Sequence, residues 1–471
     1  MNLKTFPLAL VVSARSVLSV EAASPAVATP PMGWNSFDSY GVYLYHDAAV
    51  KNIDEMARRY KQFGYEYFVI DAGWFGEFKL KQGTLYPLER HAEEVNINEY
   101  GILQPSQCYF PHGLKILADR CHEQGLKFGI HLMRGIPRKA VVLNTPVKGT
   151  KYTSRDIADT TSICVWCPQN YGIDMRKPGA QEYYNSVIDQ LAEWGVDFVK
   201  YDDIVPFPLE VEGVANAIAR CKRPIVLSLS PGGKVDMEAI DFFKKANMLR
   251  VTNDIWDEQI GIDQCFDAWR KWQGKESESF YVDMDMIPFG ELVIMSQKPD
   301  ELSGEETNQE IRQRQRKGEL ANVELLSGKG WHRRSKLSKD QHYTFITLRA
   351  LSASPLMIGG DMVSMDDFAF GLLTNKDMLE CNQNGVMGSL IFDENLLEAW
   401  KVNKKGHNSG WFGIFNRNLE TPQSVTVNDK ITGLNHLKSY KLHDIWSDSK
   451  VNAGDKLTIA PGGVLFVKFN K

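Results

Sequence analysis

The chain lacks a basic excess and lacks an apolar run of membrane-spanning length, and each absence excludes a class of protein. Its 54 Lys and Arg residues are outnumbered by 59 Asp and Glu residues, so the formal net charge is −5. A surface of this sign does not attract nucleic acid, and no nucleic-acid partner is expected. No stretch approaches the ~18 apolar residues of a membrane span, so no membrane partner is expected.

Cysteine and histidine are also scarce. Seven cysteines are too few, and odd in number, for a disulfide scaffold in a chain of 471 residues. Cys164 and Cys167 have C-x-x-C spacing, but no second Cys or His pair is near them in sequence, so we expect either a bridge or two free thiols. The chain also lacks H-x-H, H-E-x-x-H and a serine nucleophile elbow. We therefore predict no metal and no other cofactor, with a metal-dependent barrel hydrolase as an alternative.

The N-terminus has the pattern of a secretory signal. Lys4 precedes an apolar run, 6–14, and Ala26-Val27-Ala28 has the small-x-small pattern of a cleavage site. Residues 1–28 are accordingly predicted to be a signal peptide, and the mature protein to be secreted or periplasmic. A disordered N-terminal tail is the alternative.

From residue 29 to 383, short apolar runs alternate with helical patterns such as 179–195, which ends at Gly195. Near-continuous apolar strands separated by helices indicate a parallel sheet that is covered on both faces. Eight such units favour a (β/α)8 TIM barrel, and a doubly wound sheet is the alternative, although no G-x-G-x-x-G follows the first strand. The eight predicted strands lie in 31–37, 66–74, 126–135, 196–203, 224–233, 247–257, 279–286 and 354–362.

The pattern changes beyond residue 383. Residues 384–471 contain short alternating strands with turn residues and no helix-length pattern, which predicts a C-terminal antiparallel β-sandwich domain. One charged segment, 304–341, interrupts the barrel pattern between the seventh and eighth strands. No function is assigned to it.

Carboxylates recur at the ends of the predicted barrel strands, where the chemistry of such barrels takes place. Asp202 ends the fourth strand and Asp254 follows the sixth. Two carboxylates beside a sugar ring suit glycosidic bond cleavage, because one can attack the anomeric carbon while the other protonates the leaving oxygen. Retention of configuration requires them to lie roughly 5–5.5 Å apart. Structural salt bridges among strand-end charges are the alternative for any single pair.

Two cations accompany these carboxylates. Lys200 lies two residues before Asp202, hence on the same side of the strand, where its charge would keep Asp202 ionised. Arg250 lies four residues before Asp254 and could bind a sugar hydroxyl or tune the acid.

The stretches "TPPMGWNSFDSYG", "KYDD", "RVTNDIWD", "DMDM" and "SPLMIGGDM" together resemble glycoside hydrolase family 27. The resemblance, over residues 29–471, implies a retaining α-galactosidase with a barrel and an antiparallel β domain. It implies that Asp202 of the K-Y-D motif is the nucleophile and that Asp254 of the R-x-x-x-D spacing is the acid/base. It also implies sugar-binding roles for Lys200 and Arg250, and a pocket-lining role for the pair Asp285-Met286.

The departures from the family pattern concern the substrate. Typical α-galactosidases have a D-D-C-W motif, whose two aspartates hold galactose hydroxyls. At the matching positions, 71–74, this chain keeps Asp71 and Trp74 but has Ala72 in place of the second aspartate, so one of the two contacts is missing. Ser230 stands where typical α-galactosidases have a glutamate that contacts the 2-position of the sugar. A small residue at this position resembles the α-N-acetylgalactosaminidases. His131 replaces a tyrosine and Phe37 replaces a tryptophan. Asp71, Trp74, Ser230, His131 and Phe37 are all predicted to bind substrate.

The sequence thus predicts a retaining exo-glycosidase that acts on terminal α-D-galactosides, with a carbohydrate as its partner. An α-N-acetylgalactosaminidase and a β-L-arabinopyranosidase on the same scaffold are alternatives, since arabinopyranose differs from galactose only by lacking the exocyclic carbon. A carbohydrate-binding protein without catalysis is the alternative from another class. The oligomeric state is left open.

Overall fold

The computed structural model of the protein describes residues 27–88, 91–231, 235–293 and 332–471. Residues 1–26 of the predicted signal peptide lie outside the described residues. Residues 304–331 of the charged segment lie outside them as well.

Eight parallel strands form one curled sheet, which confirms the predicted barrel. In chain order they are β1 (Met32–Asn35), β2 (Tyr67–Ile70), β3 (Lys127–Met133), β4 (Phe198–Asp202), β5 (Val226–Leu229), β6 (Met248–Arg250), β7 (Tyr281–Asp283) and β8 (Leu356–Ile358). Their order in the sheet is β7-β6-β5-β4-β3-β2-β1-β8. A parallel bridge from Ile287, just beyond β7, to Ile358 in β8 joins the two edges. The carboxyl ends of all eight strands therefore meet at one mouth.

Helices cover the outside of this barrel, and local chemistry explains their ends. The helix Ala180–Trp194 ends at Gly195, whose φ of +85° suits glycine. The helix Lys339–Leu351 begins with a capping box between Ser338 and Gln341. The other helices are His46–Glu55, Lys115–Glu123, Pro208–Arg220, Ile240–Phe243, Gln259–Trp272, Asp367–Leu373 and Lys376–Gln383, with shorter helical turns at Phe37–Tyr40, Met56–Tyr60, Lys61–Phe63, Arg138–Leu143, Ser154–Ile157 and Met237–Ala239.

The loops after three barrel strands carry small strands of their own and enlarge the mouth. They are Gly76–Glu77 with Glu94–Val95 after β2, Ile136–Pro137 with Ala158–Ile163 and Asn170–Ile173 after β3, and Glu291–Val293 with His332–Arg334 after β7. The last hairpin is held to the barrel by a buried ion pair, in which both terminal nitrogens of Arg333 donate to Asp257 at 2.6 and 2.7 Å.

The C-terminal domain is antiparallel, as predicted. Its strands are β9 (Ser389–Glu394), β10 (Leu397–Asn403), β11 (Ser409–Asn416), β12 (Gln423–Thr426), β13 (Lys441–Asp444), β14 (Ser449–Val451), β15 (Lys456–Ile459) and β16 (Val464–Asn470), with helical turns at Asp429–Thr432 and Leu437–Ser439. A six-stranded sheet, β9-β10-β11-β16-β13-β14, faces a two-stranded one, β12-β15, across a core that includes Phe412, Val425 and Leu442. The two sheets of the predicted sandwich therefore differ greatly in size, with six strands in one and two in the other.

Aromatic stacking joins the two domains. Trp269 of the helix Gln259–Trp272 stacks on Trp400 of β10 with ring centroids 3.8 Å apart, and its indole N–H donates to the carbonyl of Gly388. The C-terminal domain therefore supports the helix that follows β6, the strand that ends in Arg250.

No helix among the described residues is long and apolar enough to cross a membrane. All seven cysteines lie within the described ranges and none of them forms a disulfide, so Cys164 and Cys167 are not bridged. Within the same ranges, no group of three or more His, Cys, Asp or Glu side chains is arranged to hold a metal ion.

Candidate active site

The predicted nucleophile, Asp202, ends β4 and is 8% exposed at the mouth of the barrel. Nε2 of His131 lies 3.3 Å from its Oδ2, and the backbone N–H of Asp203 donates to its Oδ1 at 3.1 Å. Burial by itself raises the pKa of Asp202, but the hydrogen bond from His131 and the charges of Lys200 and Arg250 outweigh it and hold this pKa well below its ordinary value. Asp202 is therefore ionised at neutral pH, as a nucleophile must be.

A second carboxylate, Asp71, is held between the ends of three strands. Its Oδ2 accepts from Lys200 Nζ at 2.8 Å and from Asn35 Nδ2 at 2.7 Å, and its Oδ1 accepts from the backbone N–H of Ala72. Burial opposes ionisation of Asp71, yet Lys200 and His131 lower its pKa below the ordinary value. This chain of contacts links β1, β2 and β4 and orients Lys200 beside Asp202.

On the opposite side of the mouth, Arg250 bridges two carboxylates. Its Nη2 donates to Asp254 Oδ1 at 2.9 Å and its Nη1 to Asp285 Oδ1 at 3.2 Å. The backbone N–H of Ile255 donates to Asp285 Oδ2 at 2.8 Å. Asp285 has a left-handed φ of +74°, a strained conformation that is common at functional sites in non-glycine residues. The side chain of Asp254 is 60% exposed, so it is open to a ligand from the mouth.

The environment of Asp254 acts on its pKa in the direction opposite to that of Asp202. Partial desolvation raises the pKa of Asp254, and the negative charges of Asp285 and Asp202 raise it further, while Arg250 opposes the shift. The site thus holds one carboxyl that is stabilised as the anion and another that is stabilised as the acid.

A buried ion-pair network lies directly behind Asp202. Nε and Nη2 of Arg134 donate to Asp203 Oδ2 at 3.1 and 3.0 Å, and its Nη1 donates to Glu210 Oε1 at 2.8 Å. The guanidinium of Arg134 also lies 3.4 Å from the ring centroid of Phe207. Asp203 has a left-handed φ of +58°, and this conformation aims its N–H at Asp202. The network therefore holds the loop that orients the carboxylate of Asp202.

We expect Arg134→Met to destabilise the protein by about 3–5 kcal/mol, since it leaves Asp203 and Glu210 buried without a cation. The measurement is the free energy of unfolding from denaturant titration. Arg58→Met is the control: it removes an exposed partner of Glu55 and should leave that free energy unchanged. Unchanged stability in Arg134→Met would show that the network does not hold the loop.

Three further predicted binding residues line the same end of the barrel. Ser230 follows β5 and is 1% exposed, and its Oγ has no hydrogen-bond partner within the described ranges. Phe37 is half-buried, with its ring centroid 5.9 Å from Lys200 Nζ. Met286 packs with Met357 in the barrel interior, beside a cavity of about 20 Å³ that also contacts Ser230. Such a cavity has room for one water.

Trp74, which was also predicted to bind substrate, is not brought together with these residues. Gly73 has a φ of +102°, and a Cβ there would lie 2.1 Å from the carbonyl oxygen of Val42. The chain turns sharply at this point and directs Trp74 behind the barrel wall. There its ring meets Trp194 edge-on, with ring centroids 5.9 Å apart, its indole N–H donates to the carbonyl of His131, and it is 1% exposed. Trp74 therefore supports β3 instead of facing a ligand.

Sequence reasoning assigned no site role to Asn35, Arg134, Asp203 or Glu210. Three of them could have been found from their positions in the sequence. Asn35 belongs to the "GWNSF" stretch, and Arg134 and Asp203 stand at the ends of predicted barrel strands. Nothing in the pattern marks Glu210, because it lies on the helix Pro208–Arg220 and joins the network only through space.

Comparison with known proteins gives consistent results. A family model named Melibiase matches residues 30–205. The chain is 35% identical to a β-L-arabinopyranosidase of glycoside hydrolase family 27 from Geobacillus stearothermophilus, which was crystallised in complex with arabinose. That match covers 94% of this chain and 98% of the other, with a TM-score of 0.80.

Two other relatives carry different activities in their names. A proposed α-N-acetylgalactosaminidase from Bacillus halodurans C-125 is 32% identical, with a TM-score of 0.76, over 95% of this chain and 99% of its own. An α-galactosidase of Cyamopsis tetragonoloba is 24% identical over 431 residues, which are 89% of this chain and 80% of that protein.

Proposed function

Because this chain belongs to glycoside hydrolase family 27 and is a glycoside hydrolase, we propose that it releases terminal galacto-configured pyranoses by a double displacement that retains the anomeric configuration. Asp202 is the nucleophile, and Asp254 is first the acid and then the base. The opposite pKa shifts of these two carboxyls carry the proposal. Environments that separate the pKa values of two carboxyls assign one to the anionic role and the other to the acidic role.

In the first step, a carboxylate oxygen of Asp202 forms a bond to the anomeric carbon as the bond from that carbon to the leaving oxygen breaks. Asp254 gives its proton to that oxygen. In the second step, Asp254 takes a proton from water, the water oxygen attacks the anomeric carbon, and the bond to Asp202 breaks. His131 and the N–H of Asp203 hold the two oxygens of Asp202 in place for both steps.

Among galacto-configured sugars, we propose β-L-arabinopyranosides as the preferred substrates. Arabinopyranose lacks the exocyclic carbon and its hydroxyl, and this chain has Ala72 where typical α-galactosidases of the family have a second sugar-binding aspartate. A site with one carboxylate fewer suits a sugar with one hydroxyl fewer. The similarity to the arabinopyranosidase of G. stearothermophilus supports this choice.

Terminal α-D-galactosides are the second candidate, favoured by the resemblance to α-galactosidases and by Asp71, which remains in place. The small side chain of Ser230 would also leave room for an acetamido group, as α-N-acetylgalactosaminides require. Both candidates use the same two carboxyls.

A panel of 4-nitrophenyl glycosides tests the proposal: β-L-arabinopyranoside, α-D-galactoside, α-N-acetyl-D-galactosaminide and α-D-glucoside. We expect kcat/KM to be highest for the arabinopyranoside, with a first-formed product, followed by NMR, of the same anomeric configuration as the substrate. An inverted product would contradict the mechanism, and exclusive turnover of the glucoside would contradict the sugar class.

Ala72→Asp tests the reason for the sugar preference. A carboxylate restored at this position should raise the ratio of galactoside to arabinopyranoside kcat/KM about tenfold or more, which is the effect of one hydrogen bond to a charged group. Ala72→Asn is the matched control, since it has a similar shape without the charge, and it should change the ratio less. An unchanged ratio in Ala72→Asp would show that position 72 does not discriminate between these sugars.

A further inference from the structure

Asp38 is a buried carboxyl beside the site that the mechanism above does not use. It lies in the helical turn Phe37–Tyr40 that follows β1, and it is 1% exposed. Its carboxyl packs against Gly359, just beyond β8, where an added Cβ would lie 2.0 Å from Asp38 Oδ2. Asp38 therefore occupies the mouth of the barrel, between the ends of β1 and β8.

Among the residues that the structure describes, none is a hydrogen-bond partner of Asp38 Oδ2. Both oxygens of the neighbouring carboxylates Asp71 and Asp285, by contrast, accept hydrogen bonds from the protein. Buried polar groups are nearly always bonded, because a group without a partner has lost its hydration without compensation. A carboxyl with a purely structural role would be expected to have a donor within the protein, so the missing partner points to a ligand.

The surrounding charges show that this carboxyl belongs to the same electrostatic environment as the site. Burial raises the pKa of Asp38 well above its ordinary value, Asp285, Asp254 and Asp71 raise it further, and Lys200 opposes the shift. These shifts favour the neutral carboxylic acid. Such a group can donate one hydrogen bond and accept another, as a sugar hydroxyl does.

We propose that Asp38 is a further substrate-binding residue, whose carboxyl exchanges hydrogen bonds with a ring hydroxyl of the cleaved pyranose. This assignment rests on the proposed function and adds to it a contact from the turn that follows β1. The hydroxyl is one on the ring because the preferred substrate has no exocyclic hydroxyl. Asp38 therefore contributes to both arabinopyranoside and galactoside binding.

The test compares Asp38→Ala with Ser39→Ala. Ser39 is the matched control, because it lies in the same turn and is 2% exposed but, unlike Asp38, is not a carboxyl on which the charges of the site act. We expect Asp38→Ala to lower kcat/KM about 10- to 100-fold on both substrates, as the loss of a buried hydrogen bond to substrate does. Its Tm should change little, because Oδ2 makes no hydrogen bond to any described residue. Ser39→Ala should leave kcat/KM unchanged.

Asp38→Asn provides a second readout and a substitute if the alanine variant does not fold. The amide keeps a donor and an acceptor, so kcat/KM should stay within about tenfold of the wild-type value, and the pH profile should keep its shape. A kcat/KM within twofold of wild type in Asp38→Ala would overturn the proposal, as would an altered pH profile in Asp38→Asn. A loss confined to the galactoside would overturn the assignment to a ring hydroxyl.

Failure of the proposed function would look different, since the wild-type protein itself would then turn over none of the panel. In that case, calorimetric titration with free L-arabinose or D-galactose tests Asp38 directly. A Kd at least tenfold weaker in Asp38→Ala than in wild type would support the contact. Equal affinities would overturn it.

Discussion

Asp202→Asn is expected to lower kcat by about 10⁴-fold or more while the protein stays folded, because removal of a nucleophile leaves only binding and electrostatic contributions to catalysis. Asn has nearly the shape of Asp, and its single side-chain oxygen can still accept one of the two hydrogen bonds that His131 and the N–H of Asp203 donate. It cannot, however, form the glycosyl ester. The measurement is kcat on the best substrate of the panel, with circular dichroism to monitor the fold.

Asp202→Ala distinguishes loss of the nucleophile from general damage to the site. The truncated side chain leaves space for azide, which can attack the anomeric carbon from the same face and should give a glycosyl azide of inverted configuration. Asp197→Asn is the control, because Asp197 precedes the same strand at its other end and pairs with Arg223 on the outside of the barrel. Full activity in Asp202→Asn, or azide rescue without inversion, would contradict the assignment.

Asp254→Ala is expected to have an effect that depends on the leaving group. General acid catalysis contributes about 10²–10⁴-fold, and an alkyl or sugar leaving group needs all of it. A 4-nitrophenolate needs little protonation, so formation of the glycosyl intermediate should be much less affected with this substrate. The two substrates control for each other, because both meet the same altered site. Equal losses on both would contradict the role of Asp254 as the acid.

The pH dependence of kcat/KM follows from the two pKa shifts. In the proposed mechanism, activity requires Asp202 to be ionised and Asp254 to be protonated. The depressed pKa of Asp202 moves the acid limb to low pH, whereas the raised pKa of Asp254 moves the alkaline limb upward from the ordinary carboxyl range. Asp254→Ala should remove this alkaline limb, measured with an activated glycoside. An alkaline limb that persists unchanged would assign it to another group.

Much of the architecture was predictable from local patterns. Apolar runs of strand length alternate with segments that have helical periodicity. This pattern favours a barrel and leaves few alternative folds, because such strands must be buried on both faces. The observed sheet contains all eight predicted strands. The helix predicted at 179–195 is observed at Ala180–Trp194, since the glycines at both ends limit it. Once the barrel is predicted, Asp202 and Asp254 follow as mouth residues, because they come directly after its strands.

Contacts through space could not be predicted in this way. Trp74 follows β2 as closely as Asp71 does, yet the backbone turn at Gly73 directs it behind the wall. The network behind Asp202 joins Arg134 after β3 to Glu210 on a helix, a pairing that depends on the register of two strands and on side-chain rotamers.

The sequence by itself thus determined which strands exist and which carboxyls stand at their ends, because both follow from periodicities of a few residues. The tertiary structure decided what each carboxyl is paired with. Asp202 is bonded by His131 and Asp71 by Lys200, whereas Oδ2 of Asp38 is bonded by no group in the described part of the chain. These pairings set the opposite pKa shifts from which the chemistry was inferred, since a pKa depends on burial and on charges brought close by folding, not on neighbours along the chain.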